Sequence, residues 1–332
     1  MPTSSGTHDL LPTDTEWFLS GRSALTGVLE DAMRSKRIRT AALPSWCCES
    51  MAAPFLAKGI EVSFYPVSYV NNHLTQDLSD YVGSDLLLVM GYFGMSDAPE
   101  VPCDYGGVVV EDVTHSLLCK TWNSRADYRF GSLRKWCGCL TGGFAWNTKQ
   151  RMYVAKAEVN EHYVGLRTDA MAAKASYIRG DSDDKGYLGV FAEAEEWLDH
   201  NVDAMAAHLD DVKAAMHLDV TGMRNARRSN AMLLMEQLRG SDYIGFVFSE
   251  LRDDDCPLFV PVIVKERDSL RRYLIANAVY CPVHWPSFGP RSLGQAELLL
   301  YEHGLSLVCD QRYSAADMTR VIELVKEWHE TN

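Results

Sequence analysis

Between Ser20 and Lys36 apolar residues recur at threes and fours, placing Ala24, Leu25, Val28, Leu29, Ala32 and Met33 on one face. That period predicts an amphipathic helix, with Ser20 as its N-cap. Short apolar runs follow at 38–43, 62–67, 86–92 and 108–113, three of them closing on Pro44, Pro66 or Gly91. Apolar runs of this length, alternating with helical stretches, predict buried strands of a mostly parallel sheet. Residues 128–133 are strand-like, and the cysteine- and glycine-bearing passage 130–146 ends in Gly142-Gly143-Phe144-Ala145-Trp146, a further strand. From 191 to 216 the helical period returns, predicting one long helix or a helical hairpin. Beyond it the pattern predicts helices at 226–238, 269–277 and 315–328 and strands at 243–248, 259–264 and 279–283. Ser314 with Asp317 three residues on resembles a capping box. The first dozen residues lack periodicity and read as a loose arm. The chain thus divides into a larger α/β domain, residues 1–200, and a smaller α+β domain, residues 201–332.

Composition narrows the class of protein. With 332 residues, 47% hydrophobic and 23% charged, the chain excludes disordered, collagenous and small disulfide-built proteins. A net charge of −13 argues against a nucleic-acid partner, which needs a phosphate-neutralising surface. No apolar run approaches the roughly 20 residues that span a bilayer, so no membrane partner is expected. The nine cysteines are an odd number, no signal peptide is legible, and a reducing cytoplasm fits best. Neither Cys47-Cys48 nor Cys137-x-Cys139 has standard zinc-ligand spacing, so no metal site is expected.

Three segments carry candidate chemistry. Ser20-Gly21-Arg22-Ser23 opens a helix, and the free N–H groups and positive dipole end of a helix start suit a phosphate. The alternative is an ordinary capped helix with an exposed arginine. The apolar run 108–110 ends in Glu111-Asp112, with His115 three residues beyond. A strand-end carboxylate can keep a ring nitrogen protonated, or it can simply be solvated. Lys135 follows a strand-like segment, and a lysine with an ordinary pKa of about 10.4 becomes a nucleophile only where burial or a nearby cation depresses it. Taken alone it reads as a surface lysine. A helix-start phosphate site, a strand-end aspartate and then a lysine, in this chain order, is the layout of fold-type-I enzymes that use pyridoxal 5′-phosphate.

At these residues the sequence resembles the DegT/DnrJ/EryC1/StrS, or sugar, aminotransferases, thinly, over about residues 17–330. Ser20-Gly21-Arg22-Ser23-Ala24-Leu25 is similar to the family's S-G-T-x-A-L start, and Pro44-Ser45-Trp46-Cys47-Cys48 to its P-x-x-T-aromatic segment. Glu111-Asp112-Val113-Thr114-His115 resembles E-D-A-A-H/Q, and Lys135 keeps the family spacing to its double glycine, here Gly142-Gly143. Val283-His284-Trp285-Pro286 resembles the V-H-Y-x-P segment, and 305–308 before Asp310-Gln311-Arg312-Tyr313 the final strand and helix entry. The departures are Arg22 for threonine, Cys48 where an aromatic ring commonly stacks on the cofactor, and a shortened approach from Ser132 to Lys135.

The resemblance implies a fold-type-I transferase: a large domain with a mixed, mainly parallel seven-stranded sheet, a small C-terminal α+β domain, and a homodimer. It implies pyridoxal phosphate held by Ser20, Gly21, Arg22 and Ser132 at its phosphate, by Asp112 at the ring nitrogen and by His115 beside the ring. Trp46 stands as an alternative stacker near Cys48, Lys135 as the Schiff-base lysine and acid/base, and His284 and Arg312 as substrate contacts. The implied activity is transamination from a glutamate-like donor to a keto-sugar or related small ketone. A lyase or decarboxylase of the same fold and a non-catalytic binding relative remain as alternatives.

Overall fold

The computed structural model describes residues 11–71, 73–286 and 293–331, so part of the expected N-terminal arm lies outside the described residues. The chain opens with β1 (Glu16–Phe18), α1 (Gly21–Ser35), β2 (Thr40–Pro44), α2 (Glu49–Ala57) and β3 (Glu61–Tyr65). A hairpin of β4 (Val67–Val70) and β5 (His73–Gln76) precedes β6 (Leu86–Met90), β7 (Val108–Asp112), β8 (Tyr128–Ser132) and β9 (Gly143–Asn147). Seven of these strands form one sheet in the order β1-β9-β8-β7-β6-β2-β3. The contiguous pairs from β3 to β8 are parallel, while β9 and β1 add antiparallel to the β8 side. Every residue of β6 and β7 is buried, as apolar runs without alternation require when both faces of a sheet are covered.

α1 is built as its pattern predicts. The Ser20 side chain accepts a hydrogen bond from the Ser23 N–H at 3.1 Å, and Ala24, Leu25, Val28, Leu29 and Ala32 face the core. Met33 does not join them and is 39% exposed. The double glycine has a packing reason. Gly142 sits at φ +116°, outside the range of L side chains, and a Cβ on Gly143 would lie 1.9 Å from the Ser20 carbonyl oxygen. β9 therefore passes directly against the entry to α1, and the Leu133 N–H donates to the Gly142 carbonyl at 2.8 Å. The turn carrying Lys135 and the start of α1 are thereby pinned to the same two glycines.

The second half differs more from expectation. α3 (Glu161–Arg179) buries only Tyr163, Val164 and Ala170, too sparse a stripe to stand out in the sequence. The expected long helix is interrupted: α4 (Tyr187–His200) and α5 (Leu209–Ala215) are separated by an extended stretch. That stretch serves an exposed strand edge, since the Leu19 N–H donates to Met205 O at 2.9 Å and residues Ala204 and Ala206 bond Ala157 on the other side. Backbone groups at a sheet edge need partners, and this demand overrides the helical period. Met205 packs with Leu19, and Ala215 and Val220 pack with Val113 and Leu117, so the chain remains on the large sheet until α6 (Val220–Leu238) begins.

β10 (Gly245–Phe246), β11 (Val260–Ile263), α7 (Arg267–Ala276), α8 (Gln295–His303), β12 (Gly304–Leu307) and α9 (Ala315–Thr331) complete the chain. The three strands form a separate antiparallel sheet, and its core joins Leu234, Val262, Leu274, Leu305 and Val325. The strand expected at 279–283 does not form. Pro282 contributes only its carbonyl, which accepts from the Ser306 N–H at 3.0 Å, and lacks the N–H that a ladder needs. Ser314 and Asp317 cap α9 reciprocally, with Ser314 N to Asp317 Oδ2 at 2.8 Å and Asp317 N to Ser314 Oγ at 3.4 Å.

Candidate active site

The carboxyl ends of β2, β6, β7 and β8 and the first turn of α1 meet at a cavity of about 260 Å³, the position where open α/β sheets take ligands. Ser20, Gly21, Arg22, Cys48, Asp112, His115, Ser132, Lys135 and His284 all line it. These residues span more than 260 positions of sequence, and the sheet order together with the packing of the second half brings them to one place.

One end of the cavity is an anion cradle. A Cβ on Gly21 would meet the Ser132 Cβ at 3.3 Å, so the start of α1 and the end of β8 face each other closely, with free helix N–H groups between them. Arg22 reaches away from the helix to Asp199 at 2.7 Å, and Arg134 bonds the Tyr163 hydroxyl at 2.7 Å and the Glu195 carboxylate. Glu195 and Asp199 are four residues apart on α4, hence on one face of it. Sequence reasoning passed over Glu195 and Asp199; the four-residue spacing opposite two arginines was the available signal.

At the other end Asp112 is buried at the tip of β7. Burial pushes its pKa up to about 6, against the opposing pull of the Thr114 N–H, which donates to Oδ1 at 2.7 Å, and of the Lys135 ammonium. A carboxylate in this position costs free energy by itself and gains most from a cation placed against it. His115 accepts the Phe93 N–H on Nδ1 at 3.3 Å, which leaves Nε2 as the protonated nitrogen of the neutral ring. Burial, then His284 and Lys135, hold His115 well below its ordinary pKa. Lys135 itself is solvent-exposed at the cavity mouth.

The aromatic wall is not the one anticipated. Trp46 lies behind the cavity, 2% exposed, stacked on Tyr92 at 4.9 Å and donating its indole N–H to the His284 carbonyl at 2.9 Å. Trp285 lines the cavity instead, stacked on the His115 ring at 5.4 Å and 17°. Cys48 caps α2 from within the cavity, its Sγ 3.0 Å from Ser50 Oγ. Arg312 also lies elsewhere. It forks onto its own neighbour Asp310, with Nε to Oδ1 at 2.9 Å and a terminal nitrogen to Oδ2 at 2.7 Å, and does not line the cavity. The Asp310 carboxylate holds this largely exposed guanidinium in a two-residue hydrogen-bonded loop away from the cavity. Cys47 and Cys139 belong to different core clusters, and among the described residues no group of three or more His, Cys, Asp or Glu side chains converges as a metal site.

His284 bonds Ser306 Oγ through Nδ1 at 2.8 Å, and burial, with Lys135 adding to it, lowers its pKa to about 3. Its folded value lies below the unfolded 6.5, so the unfolded chain takes the proton first. The stability this provides is fully present above about pH 6.5 and is lost as pH falls toward 3. Between pH 7 and pH 5 the loss attributable to His284 is ~2 kcal/mol. Denaturant unfolding at the two pH values should therefore show a smaller acid loss in His284→Asn than in the native chain; equal losses would refute this account.

The fold is that of the fold-type-I, pyridoxal-phosphate-dependent aminotransferases. Among solved structures the chain is similar to a DegT DnrJ EryC1 StrS aminotransferase from Brucella abortus, with TM-score 0.59 and 16% identity over 95% of this chain and 86% of that one. It is similar to S. venezuelae DesV, determined in complex with a ketimine intermediate, with TM-score 0.62 and 18% identity over 95% of this chain and 84% of that one. It is also similar to the PLP form of Spr1654 from Streptococcus pneumoniae, a putative sugar aminotransferase, with TM-score 0.64 and 12% identity over 96% of this chain and 87% of that one. No protein-family model matches the chain, and no curated protein matches it in sequence. None of the described helices is long and apolar enough to cross a membrane.

Proposed function

We propose that the chain is a pyridoxal-phosphate-dependent aminotransferase that moves an amino group from a glutamate-like amino acid to a keto-sugar or related small ketone. The observation that carries this reading is the convergence on one cavity of a helix-start anion cradle, a buried strand-end Asp112 and Lys135. The sugar as acceptor is supported by the solved relatives described as sugar aminotransferases.

The residues present fit the cofactor. The first turn of α1, Ser20 and Ser132 would hold its phosphate, with Arg22 and Arg134 at the cavity wall, each paired with a carboxylate of α4 and available to it only by turning from that pair. Asp112 would hold the ring nitrogen protonated, and His115 would flank the ring. Bound there, the cofactor supplies a carbonyl for the amine and an electron sink for the carbanion. Lys135 Nζ would carry the proton between the two carbon positions, since it stands at the mouth where a substrate enters. His284 would meet the acceptor from the opposite wall. Lys135 is exposed in the single chain, which supports a homodimer whose second subunit closes the mouth. The nine free thiols support a reducing compartment.

The decisive experiment is an absorption spectrum of the purified protein with pyridoxal phosphate, followed by borohydride and mass spectrometry. The expected result is a visible band and a reduced adduct on Lys135, with the band lost on adding glutamate. No band and no adduct at saturating cofactor would overturn the proposal.

A further inference from the structure

Arg227, on α6, is 2% exposed and lines no part of the cavity. The acceptors of its guanidinium are neutral: Gln311 Oε1 at 2.7 Å, Pro257 O at 3.2 Å and Leu258 O at 3.0 Å. Its Cζ also lies 4.6 Å from the centroid of Trp136, and the Asp310 carboxylate acts on it only through space, without a hydrogen bond. Neutral oxygens and an indole are costly bonding partners for a buried cation compared with a directly bonded carboxylate or an apolar replacement, so the arrangement calls for a positional reason.

The surrounding bonds supply one. Trp136 directly follows Lys135 and is held at three points. Its ring lies under Arg227, its carbonyl accepts from Gln311 Nε2 at 2.8 Å, and its indole N–H donates to Thr114 O at 2.7 Å. The Thr114 N–H in turn donates to Asp112 Oδ1 at 2.7 Å. On its far side Arg227 fixes the carbonyl of Leu258, a residue of the cavity wall, whose own N–H donates to Phe93 O at 2.7 Å. Phe93 donates to His115 Nδ1. One guanidinium in the second half of the chain thus ties together the turn bearing Lys135, the loop that follows Asp112 and the wall opposite.

We propose that Arg227 is a positioning residue that sets the reactivity of Lys135 through Trp136, coupling the helix of the C-terminal unit to the lysine turn. A planar fork is needed for this, because one group must bond Gln311 and the 257–258 backbone while lying flat on an indole; a lysine can keep the charge and not the geometry. The inference rests on the role proposed for Lys135, and its test separates the two.

The primary test is competitive acetylation of the full chain, without cofactor, with acetic anhydride across pH 7–10, reading each lysine by mass spectrometry. In Arg227→Met the rate at Lys135 is expected to change at least threefold at fixed pH, with a displaced pH profile, while the other lysines keep theirs. Arg227→Lys should fall between the two. Gln311→Leu, which removes both the Nε acceptor and the Trp136 anchor, should shift Lys135 in the same direction and serves if the methionine variant does not fold. In parallel, adduct formation with pyridoxal phosphate at Lys135 should slow about tenfold in Arg227→Met, the scale expected when a reacting group is misplaced by a fraction of an ångström. An unchanged Lys135 profile in a folded variant, or an equal change at all lysines, would overturn the proposal. A native chain that forms no adduct yet shows the Lys135-specific shift would overturn the proposed function and leave the positioning role standing.

Discussion

Replacing Lys135 with alanine is expected to abolish transamination, with turnover falling by ~10⁴-fold or more and no borohydride-fixed adduct anywhere on the chain. The size follows from the double use of this one amine. It is the covalent attachment point, and it is also the group positioned to carry a proton while Asp112 and His115 stay fixed. Alanine removes both functions and leaves the cradle of α1 and Ser132 intact. Phosphate-bearing cofactor should therefore still bind, detectable by calorimetry, while the covalent signature disappears. Because Lys135 is exposed and accepts no structural burden among the hydrogen bonds of its turn, the melting temperature should change little. Substantial turnover by this variant, against a folded control, would remove the mechanism proposed here.

Asp112→Asn is expected to retain the adduct on Lys135 and lose turnover by about 10²–10³-fold, as when a preorganised charge facing the reacting system is neutralised. Asparagine is close in shape, and its Oδ1 can still accept the Thr114 N–H, so the change isolates charge from geometry. The same residue predicts a pH dependence. Burial raises its pKa to about 6, so the free site presents a carboxylate above that value and a neutral acid below it. Only the carboxylate holds a protonated ring nitrogen. Affinity of the native protein for pyridoxal phosphate should fall as pH drops through about 6, and the asparagine variant should lack that limb. A variant with native turnover, or with the same pH limb, would place the ring nitrogen elsewhere.

Glu111, the neighbour of Asp112, is just as buried yet does something different. Glu111 and Asp112 are consecutive on β7, so their side chains leave opposite faces of the sheet. Glu111 is taken up by Arg129 at 2.9 Å and by the Asn123 N–H, a closed structural pair, whereas Asp112 keeps one oxygen toward the cavity. Two acidic residues in sequence thus have unlike roles for a reason that is purely geometric.

Local rules carried a good part of this protein in the sequence alone. The period and cap of α1, the apolar runs of β2, β6 and β7 and the capping box of α9 depend on neighbours within a few residues, and apart from the exposed Met33 they stand as the pattern predicts. The interval between Lys135 and Gly142-Gly143 was legible for the same kind of reason: a short turn and its return strand must pass the start of α1 with no room for a Cβ at Gly143. Other features answer to partners far away in the chain. The break between α4 and α5 exists because β1 presents an edge. Trp285 rather than Trp46 faces the cavity, because the Trp46 indole N–H is spent on a carbonyl 238 residues away. Arg312 turns onto Asp310, and Arg227 onto Trp136 and Gln311, by side-chain directions that no spacing encodes. The sequence by itself determined which elements form and which residues are chemically equipped. Only the tertiary structure decided which of them meet, because hydrogen-bond satisfaction and close packing are settled between segments that the chain order leaves independent.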